Sequence, residues 1–440
     1  MLLNAADKAL WRLALPMIFS NITVPLLGLV DTAVIGHLDS PVYLGGVAVG
    51  ATATSFLFML LLFLRMSTTG LTAQAWGAKD PQRLARALVQ PLALALGAGV
   101  LIILLRLPLI DLALHIVGGS EAVLEQARRF LEIRWLSAPA SLANLVLLGW
   151  LLGVQYARAP VILLVVGNLL NIVLDLWLVM GLRMNVQGAA LATVTAEYAT
   201  LIIGLLMAKR VLTLRGVSLA MLKNAWRGDL RRLLALNRDI MLRSLLLLLQ
   251  LCFGALTVFG ARLGSDIVAV NAVLMTMLTF TAYALDGFAY AVEAHSGQAY
   301  GARDGSQLLE VWRAACRQSG MVALAFALIY SLAGQYIIAL LTSLPSLQQL
   351  ADRYLIWQTI LPVVGVWCYL LDGMFIGATR GAEMRNSMAV AAAGFAVTLL
   401  TLPVLGNHGL WLALAVFLAL RGLSLALIWR RHWRRGTWFS

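Results

Sequence analysis

The sequence predicts an all-α integral membrane protein, with twelve transmembrane helices in two parallel-repeat six-helix lobes. Three observations carry this expectation: a composition too apolar for water, apolar runs of bilayer length, and an internal repeat that keeps its sidedness. Of 440 residues, 61% are hydrophobic and only 12% charged, with a mean hydropathy of +0.87. Soluble domains carry about 25% charged residues.

An apolar run of about 20 residues is long enough to cross the hydrocarbon core as a helix. Such runs fall at 13–36, 44–64, 88–105, 130–152, 161–182, 189–208, 240–260, 267–292, 314–341, 354–376, 388–405 and 410–429. The first is too long, and too interrupted by Pro16, Asn21 and Pro25, for a signal-peptide core, so it is expected to stay as a membrane helix. The three cysteines, Cys252, Cys316 and Cys368, lie singly in or beside apolar runs with no CxxC spacing. Packing accounts for them better than disulfides or metal.

The formal charge of +13 raises the alternatives of nucleic acid and topology, and the positions of Lys and Arg decide between them. Counted by connection, 24 basic residues fall on the side of the even-numbered loops and four on the other, leaving five in or beside the spans. That is the positive-inside pattern for twelve helices with both termini in the cytoplasm. The expected location is a bacterial inner membrane, multi-pass, with no nucleic-acid partner. Between the halves, "LKNAWRGDLRRLLAL" places Leu, Trp and Arg at helical spacing. It reads as an interfacial helix or a solvated connector.

"QAWGAKD" (74–80) and "QAYGARD" (298–304) share five of seven residues at a separation of 224. The same separation pairs Gly36 with Gly260, Ala48 and Val49 with Ala272 and Val273, and Gly153 with Gly377. Both copies of the motif sit on the same predicted side. The expected division is therefore an amino-terminal lobe over 1–210, a linker over 211–238 and a carboxy-terminal lobe over 239–440. Transporters are commonly built from such repeats, with the substrate path between them.

Asp31, Asp175, Glu197, Asp286 and Asp372 fall within apolar runs, with Glu293 at the end of one. A charge at the bilayer centre costs about 2.5–3.5 kcal/mol on insertion scales and normally faces a protein interior or a water cavity. In "GNLLNIVLDLWLVMG", Asn168, Asn171 and Asp175 are three and four residues apart. They share one face of a helix. A carboxylate beside two carboxamides accepts hydrogen bonds when ionised and donates one when protonated, which suits a proton switch. Thr279, Tyr283, Asp286, Tyr290 and Glu293 form a second polar face, and Tyr369 lies near Asp372. Aromatic rings with carboxylates suit lipophilic cations. Tyrosines that pack helices, with Asp286 satisfied locally, remain the alternative. Pro16 and Pro25 each remove a helix hydrogen bond and permit a bend.

No P-loop, HExxH or GxSxG occurs, and His37, His115, His295, His408 and His432 are dispersed. No enzyme activity, metal or cofactor is expected, and uphill transport without an ATP site requires an ion gradient.

The run "LALPMIFSNITVPLLGLVDTAVIGHL", the two QA(W/Y)GA(K/R)D segments and "GNLLNIVLD" together resemble the multidrug and toxic compound extrusion (MATE) family, in its bacterial DinF branch. The resemblance covers nearly the whole chain. It implies two six-helix lobes around a central V-shaped cavity, in an antiporter that exports organic compounds against inward H⁺ or Na⁺. By residue, it implies a coupling site at Asp31, Asn171, Asp175 and Thr193, and a hinge at Pro16. Here the seventh run, "IMLRSLLLLLQLCFGALTVFG", lacks the carboxylate through which the family's other branch binds Na⁺. The expectation is a monomeric, proton-coupled exporter of amphipathic, cationic compounds in contact with membrane lipids. Substrate-cavity candidates are Asn168, Tyr283, Asp286, Tyr290, Tyr369 and Asp372. The competing readings are a lipid-linked precursor flippase of the same superfamily and a Na⁺-coupled drug antiporter.

Overall fold

Helix boundaries follow local chemistry along the chain. Ser40 and Asp80 cap the helices that begin with Pro41 and Pro81, each side-chain oxygen accepting a first-turn backbone N–H. Proline suits these starts because its missing N–H has no partner in a first turn. The computed structural model describes residues 3–440 apart from 37, 39, 227, 229 and 261–263; side chains at 24–33, 253, 255–260 and 265 are also outside the described residues.

The helices are α1 (Ala5–Gly36), α2 (Pro41–Leu61), α3 (Phe63–Gly77), α4 (Pro81–Leu104), α5 (Arg106–Val117), α6 (Glu121–Arg134), α7 (Ala138–Gly153), α8 (Arg158–Asp175) and α9 (Asn185–Leu214). They continue with α10 (Leu219–Lys223), α11 (Leu230–Gly260), α12 (Ser265–Gly301), α13 (Gly305–Leu341), α14 (Pro345–Gly377), α15 (Gly381–Thr398), α16 (Leu402–Leu405) and α17 (Asn407–Arg435). The chain adopts the all-helical class read from its composition. Among the described residues, ten helices are long and apolar enough to cross a membrane, α2 running into α3 and α6 into α7 as single spans. Between α9 and α11 the helix is α10, of five residues, and "LRRLLAL" opens α11.

The repeat is visible in the backbone. In "QAWGAKD" the Ala78 N–H donates to Gln74 O and the Asp80 N–H to Ala75 O; in "QAYGARD" Ala302 donates to Gln298 O and Asp304 to Ala299 O. Lys79 and Arg303 hold the same positive φ, 54° and 53°. A second pair of helix ends matches at the same offset, Tyr156 donating to Leu151 O and Arg380 to Phe375 O, with positive φ at Gln155 and Thr379. Five positions, 78, 79, 80, 155 and 156, thus fix the 224-residue register around these turns, so the helices that adjoin them can be compared between the halves.

The same register aligns two GxxxG segments, Gly149 with Gly153 and Gly373 with Gly377. A Cβ on Gly149 would stand 2.6 Å from Arg65 O, and one on Gly373 2.7 Å from Ala289 O. Glycine there lets α7 close on α3, and α14 on α12, to backbone contact.

The chain forms two compact units, 19–234 and 1–18 with 235–440. In the first, α2 packs on α6, α7 on α3 and α4, and α8 on α9. Its core centres on Trp150 and Leu142, the Trp150 indole donating to Leu84 O at 3.1 Å. In the second, α14 packs on α12, α13 and α17, and α15 on α17. Its core includes Trp411, Phe395 and Phe417. The start of α1 belongs to this second unit: Trp11 meets Phe288 edge-on and donates to Gln318 Oε1 at 2.9 Å, while Asp7 pairs with Arg317.

Candidate functional site

The polar face of α8 turns inward and its apolar face outward. Asn171 and Asp175 are 4% and 1% exposed, whereas Leu169 and Val173 between them are 58% and 60% exposed. A helix in lipid buries the residues that need partners and leaves leucine and valine to the acyl chains. Directly after Asp175 the α-helix widens into a π turn over Leu176–Gly181, the Leu182 N–H donating to Trp177 O at 2.9 Å. Such turns are rare and often accompany functional residues.

Asn171 Nδ2 donates to Thr193 Oγ1 of α9 at 3.4 Å, and that hydroxyl donates to Ala189 O. The buried Asn171 Oδ1 accepts no hydrogen bond among the described residues. One turn away, Asn168 Nδ2 reaches Thr23 Oγ1 of α1 at 3.5 Å. Asn168, Asn171 and Thr193 line a cavity of about 320 Å³ together with Phe58, Arg134, Asn144 and Glu197.

None of these last four was read as a site residue from the sequence. Asn144 Nδ2 donates to Glu197 Oε2 at 3.0 Å and to Glu197 O at 3.1 Å, joining α7 to α9. Arg134 lies 5.4 Å from the Phe58 ring centroid and also donates to Ser137 Oγ. Glu197 was visible as a carboxylate in an apolar run and Arg134 as a charge at the edge of one. Their convergence depends on the packing of α6, α7 and α9.

The 224-residue register provides an internal control. Asn171 and Asp175 correspond to Phe395 and Leu399. These are 1% and 3% exposed, and the Phe395 ring meets the Phe417 ring edge-on at 6.2 Å. Where the amino-terminal half holds an amide and a carboxyl group, the carboxy-terminal half holds a packed ring and a leucine. The fold of a half therefore does not require the polar set.

The other candidates are distributed differently. Tyr283, Asp286 and Tyr290 are half-buried on α12. Asp372 on α14 is enclosed between Arg243 Nη2 at 2.6 Å and Arg421 Nη2. Tyr369, a turn earlier, packs against the Trp411 core. Asp372 thus carries two ionic partners already, a satisfied buried triad of the kind that costs stability when one member is removed. Pro16 is half-buried within α1, two residues before the boundary between Ile18 and Phe19 that separates the compact units. The side chain of Asp31 lies outside the described residues.

The family model MatE matches this chain twice, over residues 16–177 and 245–406. The DNA damage-inducible protein F of Escherichia coli (strain K12) is 87% identical over 438 residues, covering 100% of this chain and 95% of that protein. The chloroplastic protein DETOXIFICATION 45 of Arabidopsis thaliana is 26% identical, covering 98% of this chain and 79% of its own. A crystal structure of MATE in the bent conformation superposes with a TM-score of 0.85 at 22% identity, covering 98% of this chain and 96% of that one.

Proposed function

Because the chain belongs to the MATE family of multidrug transporters, we propose that it is an antiporter exporting amphipathic organic cations in exchange for protons. The observation that carries this reading is the buried pair Asn171 and Asp175 in one half, whose counterparts Phe395 and Leu399 in the other are packed and apolar. A polar pair that the fold does not require has another use, and a buried carboxylate one helical turn from an amide is suited to gaining and losing a proton.

In this reading α1 and α11, of 32 and 31 residues, complete twelve spans in two six-helix lobes. The amino-terminal lobe covers about 1–210 and the carboxy-terminal lobe 239–440, with a cytoplasmic linker over 211–238, in a monomer of the bacterial inner membrane. Asp31 and Asp175 share the transported proton, with Asn171 and Thr193 orienting the site. Protonation lowers the charge that holds a cationic substrate, so proton and substrate compete. Asn168, Tyr283, Asp286, Tyr290 and Tyr369 contact substrate, and Asp372 sets the charge of its lobe through Arg243 and Arg421.

Pro16 supplies the hinge. Its place beside the boundary of the compact units supports this, because the residues before it are fastened to α12 and α13 by Trp11, Asp7 and the His295–Ala9 hydrogen bond of 3.2 Å. Bending at a proline costs less than bending a fully bonded helix. The flippase reading is disfavoured by Glu197, which puts a carboxylate in the same cavity as Arg134, whereas a pyrophosphate site favours arginine over carboxylate.

Reconstitution into vesicles tests the ion. An imposed pH gradient alone should drive efflux of a fluorescent lipophilic cation. Efflux that followed a Na⁺ gradient at constant pH and membrane potential, and ignored the pH gradient, would overturn the proposal.

A further inference from the structure

Among the described residues that line the cavity of Asn171 and Thr193, the carboxylate is Glu197 of α9, which the proposed proton exchange does not use. Thr193, Glu197 and Thr200 follow one another at intervals of four and three residues and all line the cavity. They share one face of α9. Four residues of helix rise about 6 Å, so Glu197 stands one turn from the Thr193 hydroxyl that accepts from Asn171. A carboxylate within a membrane helix is costly and normally serves a ligand or a pathway.

The side chain is held in position. Asn144 Nδ2 of α7 donates to Glu197 Oε2 at 3.0 Å and to the backbone Glu197 O at 3.1 Å, so one amide ties the carboxylate to its own main chain. An amide is neutral and orients the group without cancelling its charge. Among the described residues the hydrogen bond of this carboxylate goes to Oε2, which leaves Oε1 for a ligand. The cavity, of about 320 Å³, falls in the range of small-molecule sites, about 300–1,000 Å³. Phe58, Leu145 and Leu164 give it apolar walls, and Arg134 is engaged with the Phe58 ring and Ser137 Oγ.

The repeat argues against a purely structural role for the amide. In the register fixed at 155 and 156, Asn144 corresponds to Cys368, on the helix that closes on α12 at Gly373 as α7 closes on α3 at Gly149. Cys368 is 0% exposed, within an apolar core. The same helix packing is reached there without an amide.

We propose that Glu197, positioned by Asn144, sets the specificity of this cavity for protonated amines. Oε1 accepts an N–H of the ligand's ammonium group, while Phe58 and the leucines take its apolar part. A hydrogen bond between two ionised groups is roughly twice as strong as a neutral one, and a neutral analogue of the same shape loses it. The inference rests on the exporter reading for the use of the site. To that reading it adds an ammonium N–H as the feature recognised and Glu197 as the residue that recognises it.

The test is equilibrium binding to the full chain, purified in detergent, with no ion gradient. The probe is dansylcadaverine, a lipophilic fluorescent amine, and the control is its N-acetylated form, which is neutral. Wild-type protein should bind the amine about tenfold or more tightly than the control, the worth of one charge-assisted hydrogen bond. E197Q keeps the shape and the acceptor for Asn144, and should bind the two alike. N144A keeps the charge but frees its position, and its preference should fall about fivefold, as for one neutral hydrogen bond. Affinity for the acetylated control should be the same in all three, which a general loss of structure would not leave intact. N144A carries the test where E197Q does not fold. Wild-type protein that binds the two probes equally, or binds neither, overturns the proposal, as does a preference unchanged in either variant. The exporter reading fails separately: amine preference in binding, without efflux of the amine from vesicles under a pH gradient, refutes the exporter and leaves Glu197 as the recognition residue.

Discussion

Asp175 and Asn171 are where residue chemistry speaks most directly. Asp175→Asn keeps the volume and removes the proton site, so the protein should fold and insert, and substrate affinity should lose its dependence on pH. Efflux driven by a pH gradient should drop to the level of empty vesicles, and wild-type efflux from well-folded variant would refute the coupling role. Asn171→Ala removes the bond to Thr193 and should lower stability by about 1 kcal/mol, the net worth of one hydrogen bond. The spacing of Asn168, Asn171 and Asp175 was legible in the sequence because residues three and four apart must share a helix face. Glu197 and Arg134 were legible only as charges in an apolar setting. What they face depends on three other helices.

At the scale of elements, the repeat explains which glycines matter. Gly149 lies 2.6 Å, measured from a built Cβ, from the backbone of α3, while Gly97 of α4 has nothing within 4 Å. Gly149→Ala should therefore force α7 from α3 and lower the unfolding midpoint, with a cost of about 1–3 kcal/mol typical of overpacking. Gly97→Ala should be neutral or slightly stabilising, since alanine is the better helix former. Thermal unfolding of both in the same detergent decides; equal midpoints would mean that the close approach contributes nothing. The helix ends themselves were foreseeable, since "QAWGAKD" and "QAYGARD" repeat a turn whose geometry is set within seven residues. The start of α1 was not, because its affinity for α12 and α13 resides in partners about 300 residues away.

For the whole molecule, the distribution of basic residues makes an orientation testable. Single cysteines at Ser40 and Ser343 should react with an impermeant reagent from outside intact cells, and one at Asn224 should react only after permeabilisation. Ser343 and Asn224 are exposed. Asn407 is a poor probe despite its loop position in the sequence, since it is 3% exposed and exchanges two hydrogen bonds of 2.8 Å with Asn271. Reversed labelling would invert the proposed topology.

The amino-acid sequence by itself determined the all-helical class, the repeat and its register, the polar stripe of α8 and the family. Each of these is written in composition, in short periodicities or in local turns, where residues close in the chain constrain one another. Only the tertiary structure decided that Asp372 is held by Arg243 and Arg421, and that Glu197 and Asn144 join the cavity of Asn171. Those pairings bring together residues from helices far apart in sequence. Electrostatic partnership is set by distances of a few ångströms, which helix packing supplies and linear spacing does not.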